Sequence, residues 1–225
     1  MRRAGLPDLE VVYFMFYDRQ EAGKKLAEAL KKYQNNKEAI ILVIPRGGVL
    51  VAKEVAKILN LPLDLIIIRK LPMPDEPEAG IGAISETNEI IWQPQAKFYP
   101  DEIVEEILEE QQKEVKKRIQ VLRKGKPLPD LTGKTIILID DGLAMGSTME
   151  AAIKTVYKKA AKKVIVAVPV AGEETVEKIK KLVDEVICLL LPTPFYAVAQ
   201  AYKNWYDVSD QEVIRVLKEI VKKNS

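Results

Sequence analysis

The sequence of 225 residues contains no histidine. That absence excludes Ser-His-Asp and Cys-His nucleophilic machinery, and it excludes any histidine-ligated metal. Chemistry in this chain has to run on carboxylates, hydroxyls, lysine, arginine, backbone amides and a borrowed cation. There is a single cysteine, Cys188, inside the apolar run Val186–Leu191. One cysteine makes no intrachain disulfide, and its neighbours predict burial, which fits a reducing cytoplasm. Apolar runs are short. None approaches the roughly 18 residues of a membrane span, and Val11–Tyr17 lacks the cleavage site of a signal peptide. The expectation is a cytoplasmic protein with no membrane partner. An excess of either charge is also missing: 35 basic residues face 33 acidic ones, for a net charge of +2. No nucleic-acid partner is expected from that balance. Finally, no Gly-x-Gly-x-x-Gly follows a strand and no Gly-x-x-x-x-Gly-Lys-Ser/Thr occurs, so dinucleotide and P-loop chemistry lose their sequence support.

What is present is an ordinary globular composition, 48% hydrophobic and 30% charged, in a chain long enough for one α/β core. Lysine, glutamate and isoleucine are abundant, which suggests a thermophilic source. Short continuous apolar runs at Ala39–Ile44, Leu63–Ile68, Thr135–Ile139, Val164–Val168 and Val186–Leu191 read as strands buried on both faces. Helical spacing follows at Val49–Leu59, Thr148–Ala160 and Glu173–Leu182. This alternation predicts an open parallel sheet of about five strands, Rossmann-like and flanked by helices. Arg19–Tyr33 reads as an N-terminal helix capped by Asp18. Residues 71–124 break the rhythm, with strand-like pieces at Ile81–Ser85 and Glu89–Trp92 and a charged helix over Asp101–Arg123. Residues 192–225 form an aromatic-rich hood with a closing helix over Asp210–Lys223. The whole is expected to be a single domain.

The most informative segment runs from Ile136 to Thr148. A buried strand ends in Asp140 and Asp141, a loop with Gly142 and Gly146 follows, and a helix begins at Ser147 and Thr148. Ligands of open α/β sheets bind at the carboxyl ends of strands. The free amides and positive dipole end of a helix N-terminus suit a phosphate. The two carboxylates suit vicinal hydroxyls. A ligand carrying a phosphate a few ångströms from a diol, such as ribose 5-phosphate, satisfies both halves.

This string resembles the phosphoribosyl-diphosphate signature of type I phosphoribosyltransferases: an apolar strand, two acids, three variable residues, Thr-Gly, a variable residue and Thr. The resemblance implies that Asp140 and Asp141 are the catalytic acids that hold the ribose hydroxyls. It implies that Ala144, Met145, Gly146, Ser147 and Thr148 cradle the 5-phosphate. Met145 stands where the family usually has threonine, and the missing hydroxyl is worth about 1.5–3 kcal/mol toward a charged phosphate unless Ser147 compensates. Ala144 is small and apolar where relatives acting on 6-oxopurines often carry an acid, which argues against simple hypoxanthine or guanine salvage. The likeness extends to residues 16–23, 79–84 and 192–198, a little-studied bacterial and archaeal branch.

The same resemblance assigns pyrophosphate binding to Arg46, Gly47 and Gly48 after the first core strand. Arg69 and Lys70, two cations at the carboxyl end of the next strand, either face the pyrophosphate or form a surface pair beside the acidic loop Asp75–Glu78. Pro72–Asn88 is then the mobile flap, with Gly80 and Gly82 as hinges. The implied reaction moves the 5-phosphoribosyl group of phosphoribosyl diphosphate to a nitrogenous base and releases pyrophosphate. Mg²⁺ arrives on the diphosphate, with no side-chain ligand set of its own. Asp141 and Glu86 are the acids to test as general base. The aromatic residues Phe195, Tyr196, Tyr202, Trp205 and Tyr206 either stack on the acceptor base or pack the C-terminal cap. A non-catalytic phosphoribosyl-binding regulator is the alternative reading, and a homodimer is the default assembly.

Overall fold

The computed structural model describes residues 15–76 and 79–223. Residues 11–14 of the first apolar run and residues 77–78 of the flap lie outside the described residues. The chain opens with α1 (Arg19–Ala29), whose cap is Asp18: its carboxylate accepts the Glu21 N–H at 2.8 Å. A short 3-10 turn over Lys31–Tyr33 ends the expected longer helix. β1 (Ala39–Val43), α2 (Gly48–Leu59) and β2 (Leu63–Leu65) follow. The apolar run 63–68 is therefore not one strand. After Leu65 the chain leaves the main sheet and re-forms as β3 (Ile68–Pro72), which pairs antiparallel with β4 (Gly80–Ser85), itself paired with β5 (Ile90–Trp92). Next come α3 (Asp101–Arg123), β6 (Thr135–Ile139), α4 (Ser147–Lys158), β7 (Lys163–Val170), α5 (Glu173–Lys180), β8 (Glu185–Leu190) and α6 (Asp210–Lys223).

The five-stranded sheet has the order β2-β1-β6-β7-β8, with every pairing parallel. Side chains of a strand alternate between faces, and the two faces seed two cores. Ile41, Val43, Ile137, Ile139, Ile165 and Ala167 pack with α1, α2 and α6. Ile40, Leu42, Ile136, Leu138, Val164 and Val166 pack with α4 and α5. Continuous apolar runs are what such two-sided burial requires. The edge strands are the exceptions: every residue of β8 and two of the three in β2 are only half-buried. Among the described residues no helix is long and apolar enough to cross a membrane.

Candidate active site at the carboxyl ends of two adjacent strands

β1 and β6 are neighbours in register, from Ala39 opposite Thr135 to Val43 opposite Ile139. Their carboxyl ends are level, so the loops after them leave the sheet side by side. This is also where the strand order reverses, β2 lying on one side of β1 and β6 on the other, and open α/β sheets place ligands at that crevice. The loops touch closely. A Cβ added at Gly47 would sit 1.9 Å from Asp141 Oδ2, and one at Gly48 would sit 2.9 Å from the Asp140 Cα. Glycine at these positions is what lets the two loops share one site. The Pro45–Arg46 peptide bond is cis.

The two acids have different surroundings. Asp140 keeps some surface as a residue, but its carboxyl points inward, and Oδ1 accepts the Asp141 N–H at 2.8 Å. Desolvation of that carboxyl first, and the neighbouring Asp141 charge second, push it well above the ordinary aspartate value of 3.8. A carboxyl so placed favours its protonated form. The folded state then holds the proton more tightly than the unfolded chain does. The stability that Asp140 contributes is full below pH 3.8 and is lost as pH rises toward its folded value. Asp140→Asn is expected to remove this decline, which urea unfolding measured from about pH 4 to about pH 8 would read as a flatter stability profile.

Asp141 is held by a residue inside the likeness at 16–23 to which the sequence assigns no role. Arg19, at the first position of α1, donates through Nε to Asp141 Oδ2 at 2.7 Å, and its side chain is only 4% exposed. Its Nη1 donates to the Tyr206 carbonyl at 2.8 Å, and its guanidinium lies 3.8 Å from the Trp205 ring centroid. Tyr202, also buried, donates its hydroxyl to the Asp141 carbonyl at 2.6 Å. Burial raises the Tyr202 phenol, so it stays a donor. The C-terminal aromatics therefore divide. Tyr202, Trp205 and Tyr206 contact Arg19 or Asp141, the last two keeping an exposed side, whereas Tyr196 is 82% exposed. From sequence, Arg19 is one more charged residue of an amphipathic helix. Its role depends on a partner 122 positions away.

The phosphate-type loop has its expected place between β6 and α4. Gly146 is in the left-handed region at φ 81°, and it takes the helix cap position instead of Ser147 or Thr148. The first helical bond runs from Glu150 N–H to the Gly146 carbonyl at 2.9 Å. The N–H groups of Ser147, Thr148 and Met149 are thus left without helical acceptors, as in any helix start. Gly142, Leu143, Ala144, Met145, Gly146, Ser147 and Thr148 line a cavity of about 230 Å³ together with Lys70 and Val198. Thr175 of α5 braces the loop by donating its hydroxyl to the Ala144 carbonyl at 2.6 Å. Met145 is 46% exposed. A backbone curl of amides at a helix start beside a lysine can accept an anion of phosphate size.

The remaining expected site residues separate. Arg69 and Lys70 do not act as a pair, because successive strand residues face opposite sides. Lys70 lines the loop cavity, while Arg69 donates to Gln111 of α3 at 3.1 Å. Gly80 and Gly82 are not hinges. Both lie in β4, and a Cβ on Gly82 would meet the Ile91 carbonyl oxygen at 2.3 Å, so glycine there serves close strand pairing. Glu86 is not placed as a base. Its Oε1 accepts the Ile67 N–H at 2.9 Å, and its Oε2 pairs with Arg123 in a buried contact. No group of three or more acids or cysteines converges among the described residues. A Mg²⁺ that travels on diphosphate oxygens needs no such group.

The family model for the phosphoribosyl transferase domain matches residues 14–203. The chain belongs to the phosphoribosyl transferase domain family. The matched range contains both loops and all the strands. Proteins of Mycobacterium tuberculosis strains CDC 1551 and H37Rv, each named as a phosphoribosyl transferase, are 37% identical to the chain over 213 residues. The alignment covers 90% of this chain and 46% of each relative, so the chain spans about half the length of the curated relatives it matches. Among solved structures, TT1426 from Thermus thermophilus is 38% identical with a TM-score of 0.75, covering 91% of this chain and 98% of that one. This phosphoribosyl transferase domain thus shares fold and sequence with a chain of nearly its own extent.

Proposed function

We propose that the domain binds phosphoribosyl diphosphate and transfers its 5-phosphoribosyl group to a nitrogenous base, releasing pyrophosphate. The observation that carries this reading is the junction of three features at one crevice: the amide loop Ala144–Thr148, the acids Asp140 and Asp141, and the Arg46–Gly48 turn. The 5-phosphate sits in the loop cavity against the α4 N-terminus, with Lys70 adding charge. The ribose hydroxyls meet Asp141, with the inward carboxyl of Asp140 behind it bonded to the Asp141 N–H. Asp141 accepts from them through the carboxylate oxygen that Arg19 does not occupy, and Arg19 fixes its orientation. The diphosphate extends toward Arg46. In the reaction the anomeric C–O bond to diphosphate breaks and a C–N bond forms, through a centre with oxocarbenium character of the kind seen in glycoside chemistry. The electron pair leaves on pyrophosphate, and the proton of the attacking nitrogen passes to solvent. Mg²⁺, when bound to the diphosphate, neutralises leaving-group charge. The chain's own residues orient the sugar and meet the anions at both ends, which is the positioning and electrostatic share of catalysis.

Calorimetry with phosphoribosyl diphosphate tests the reading. Asp141→Asn should weaken binding by about tenfold or more, the scale of a lost hydrogen bond to a charged group. Asp140→Asn should weaken it less, because the desolvated carboxyl already favours its neutral form. Unchanged affinity in both variants would contradict the assignment. Release of pyrophosphate in the presence of a panel of bases separates an enzyme from a binding-only module.

A further inference from the structure

Three arginines from three separate elements converge beside the Arg46 turn. Arg46 follows β1, Arg69 lies in β3, and Arg118 lies in α3. Arg46 Nη1 is 3.7 Å from Asp210 Oδ1, and Arg118 Nη1 is 3.9 Å from the same oxygen. Arg69 is near enough that the charges of Arg118 and Arg46 both oppose its protonated form, though burial is the larger cause and Glu114 and Glu110 oppose the shift. Asp210 is the first residue of α6. Neither contact to Asp210 is short enough for a hydrogen bond. Asp210 Oδ1 and Arg118 Nε are both buried atoms with no hydrogen-bond partner among the described residues. Buried polar atoms are normally paired. One carboxylate therefore faces two guanidiniums, those of Arg46 and Arg118, at a distance where it balances charge without completing their bonds. Bidentate forks of this kind match phosphate oxygens.

We propose that Arg118 completes the leaving-group seat with Arg46 and Arg69, and that Asp210 is the internal carboxylate which an incoming pyrophosphate displaces. The inference rests on the phosphoribosyl reading of the adjoining site and adds residues from α3 and α6 to it. Arg118 and Asp210 lie far from the signature in sequence, so no spacing rule reaches them. A phosphate ligand competes with the single carboxylate for the same forks, and pyrophosphate brings more charge and more oxygens than a monophosphate. The seat thereby favours diphosphate over a monophosphate.

The test is calorimetric titration of the intact chain with inorganic pyrophosphate and, separately, with ribose 5-phosphate. Arg118→Gln should weaken pyrophosphate binding at least tenfold and leave ribose 5-phosphate affinity within twofold. Arg118→Lys keeps the charge but loses the fork, and it should fall between. Asp210→Asn should tighten pyrophosphate binding by about threefold or more. Thermal unfolding of each variant separates loss of a ligand contact from loss of the fold, and the ratio of the two affinities is insensitive to global destabilisation. Equal pyrophosphate affinity in wild type and Arg118→Gln overturns the inference, as does weaker binding in Asp210→Asn. If the wild type binds ribose 5-phosphate but not pyrophosphate, the seat is refuted and the sugar site stands. If pyrophosphate binds through Arg118 and ribose 5-phosphate does not bind, the seat stands and the phosphoribosyl reading falls. Binding of neither ligand refutes both.

Discussion

Arg19→Leu is expected to lower affinity for phosphoribosyl diphosphate by about a hundredfold and to destabilise the fold by roughly 3 kcal/mol, the low end of what orphaning one partner of a buried ion pair costs. The reason is local. Asp141 has its Oδ2 on Arg19 at 2.7 Å, and Asp140 is the preceding residue. Without the guanidinium, two adjacent carboxyls at the end of β6 have no countercharge from α1, and like charges that close resist joint ionisation. The loss extends beyond charge. The guanidinium also fills the space over the Trp205 ring and bonds the Tyr206 carbonyl, so the C-terminal segment loses its anchor to α1. Phosphoribosyl diphosphate titration and urea unfolding on the same preparation would measure both effects. Arg19→Lys should recover part of the stability but little of the affinity, because an ammonium cannot reproduce a fork held between an acid, a carbonyl and an aromatic face. Wild-type affinity in Arg19→Leu would show that Asp141 needs no orientation from α1.

The largest purely structural effect is expected at Arg123. This residue ends α3, donates to the Leu65 carbonyl at 3.2 Å through Nη1 and pairs with Glu86 through Nη2. Both side chains of the pair are almost fully buried. The contact fastens α3 to the point where the chain leaves β2 and starts the small antiparallel sheet. Arg123→Met should cost about 3–5 kcal/mol, because Glu86 then stays buried with only the Ile67 N–H to serve it. Burial already raises the Glu86 carboxyl, ahead of the opposing Ile67 hydrogen bond and the Arg123 charge. Removing that charge raises it further. Glu86 can then escape the cost by taking up a proton, so the loss should be smaller at about pH 5 than at about pH 8. The double variant Arg123→Met with Glu86→Met should regain much of the stability in urea unfolding, since replacing both partners by apolar groups leaves no stranded charge. A double variant as unstable as Arg123→Met alone would place the cost in packing.

Much of this architecture is legible along the chain. The runs at 135–139 and 101–123 coincide with β6 and α3, and the closing helix coincides with α6. Those segments are readable because their burial is dictated by local pattern: two-sided strands are continuously apolar, and long helices carry a regular stripe. The run 63–68 misleads for the same reason. A stretch of leucine and isoleucine looks alike whether it stays in one sheet or passes between two, and only the pairing of Ile68 with Ser85 shows the change. Gly80 and Gly82 suggest hinges from composition. What fixes Gly82 is the Ile91 carbonyl oxygen 2.3 Å from where its Cβ would be, and what crowds Gly80 is the Lys70 side chain at 2.9 Å, facts about neighbours rather than about glycine.

The acids Asp140 and Asp141 and the helix start after them are neighbours in sequence, and the Arg46–Gly48 turn is just as compact, so the chemistry of each piece can be read from spacing and side-chain type. Asp140 and Asp141 announce themselves as a pair at a strand end; that one carboxyl is desolvated and the other is clasped by Arg19 is a matter of what folds over them. The same holds for Arg118 and Asp210, which meet Arg46 only because α3 and α6 cross near the end of β1. Local order is written in short-range periodicity. The electrostatic environment of a group depends on charges and surfaces brought to it from distant parts of the chain, and for Asp141 and Arg46 these come from α1, α3, α6 and the segment before it.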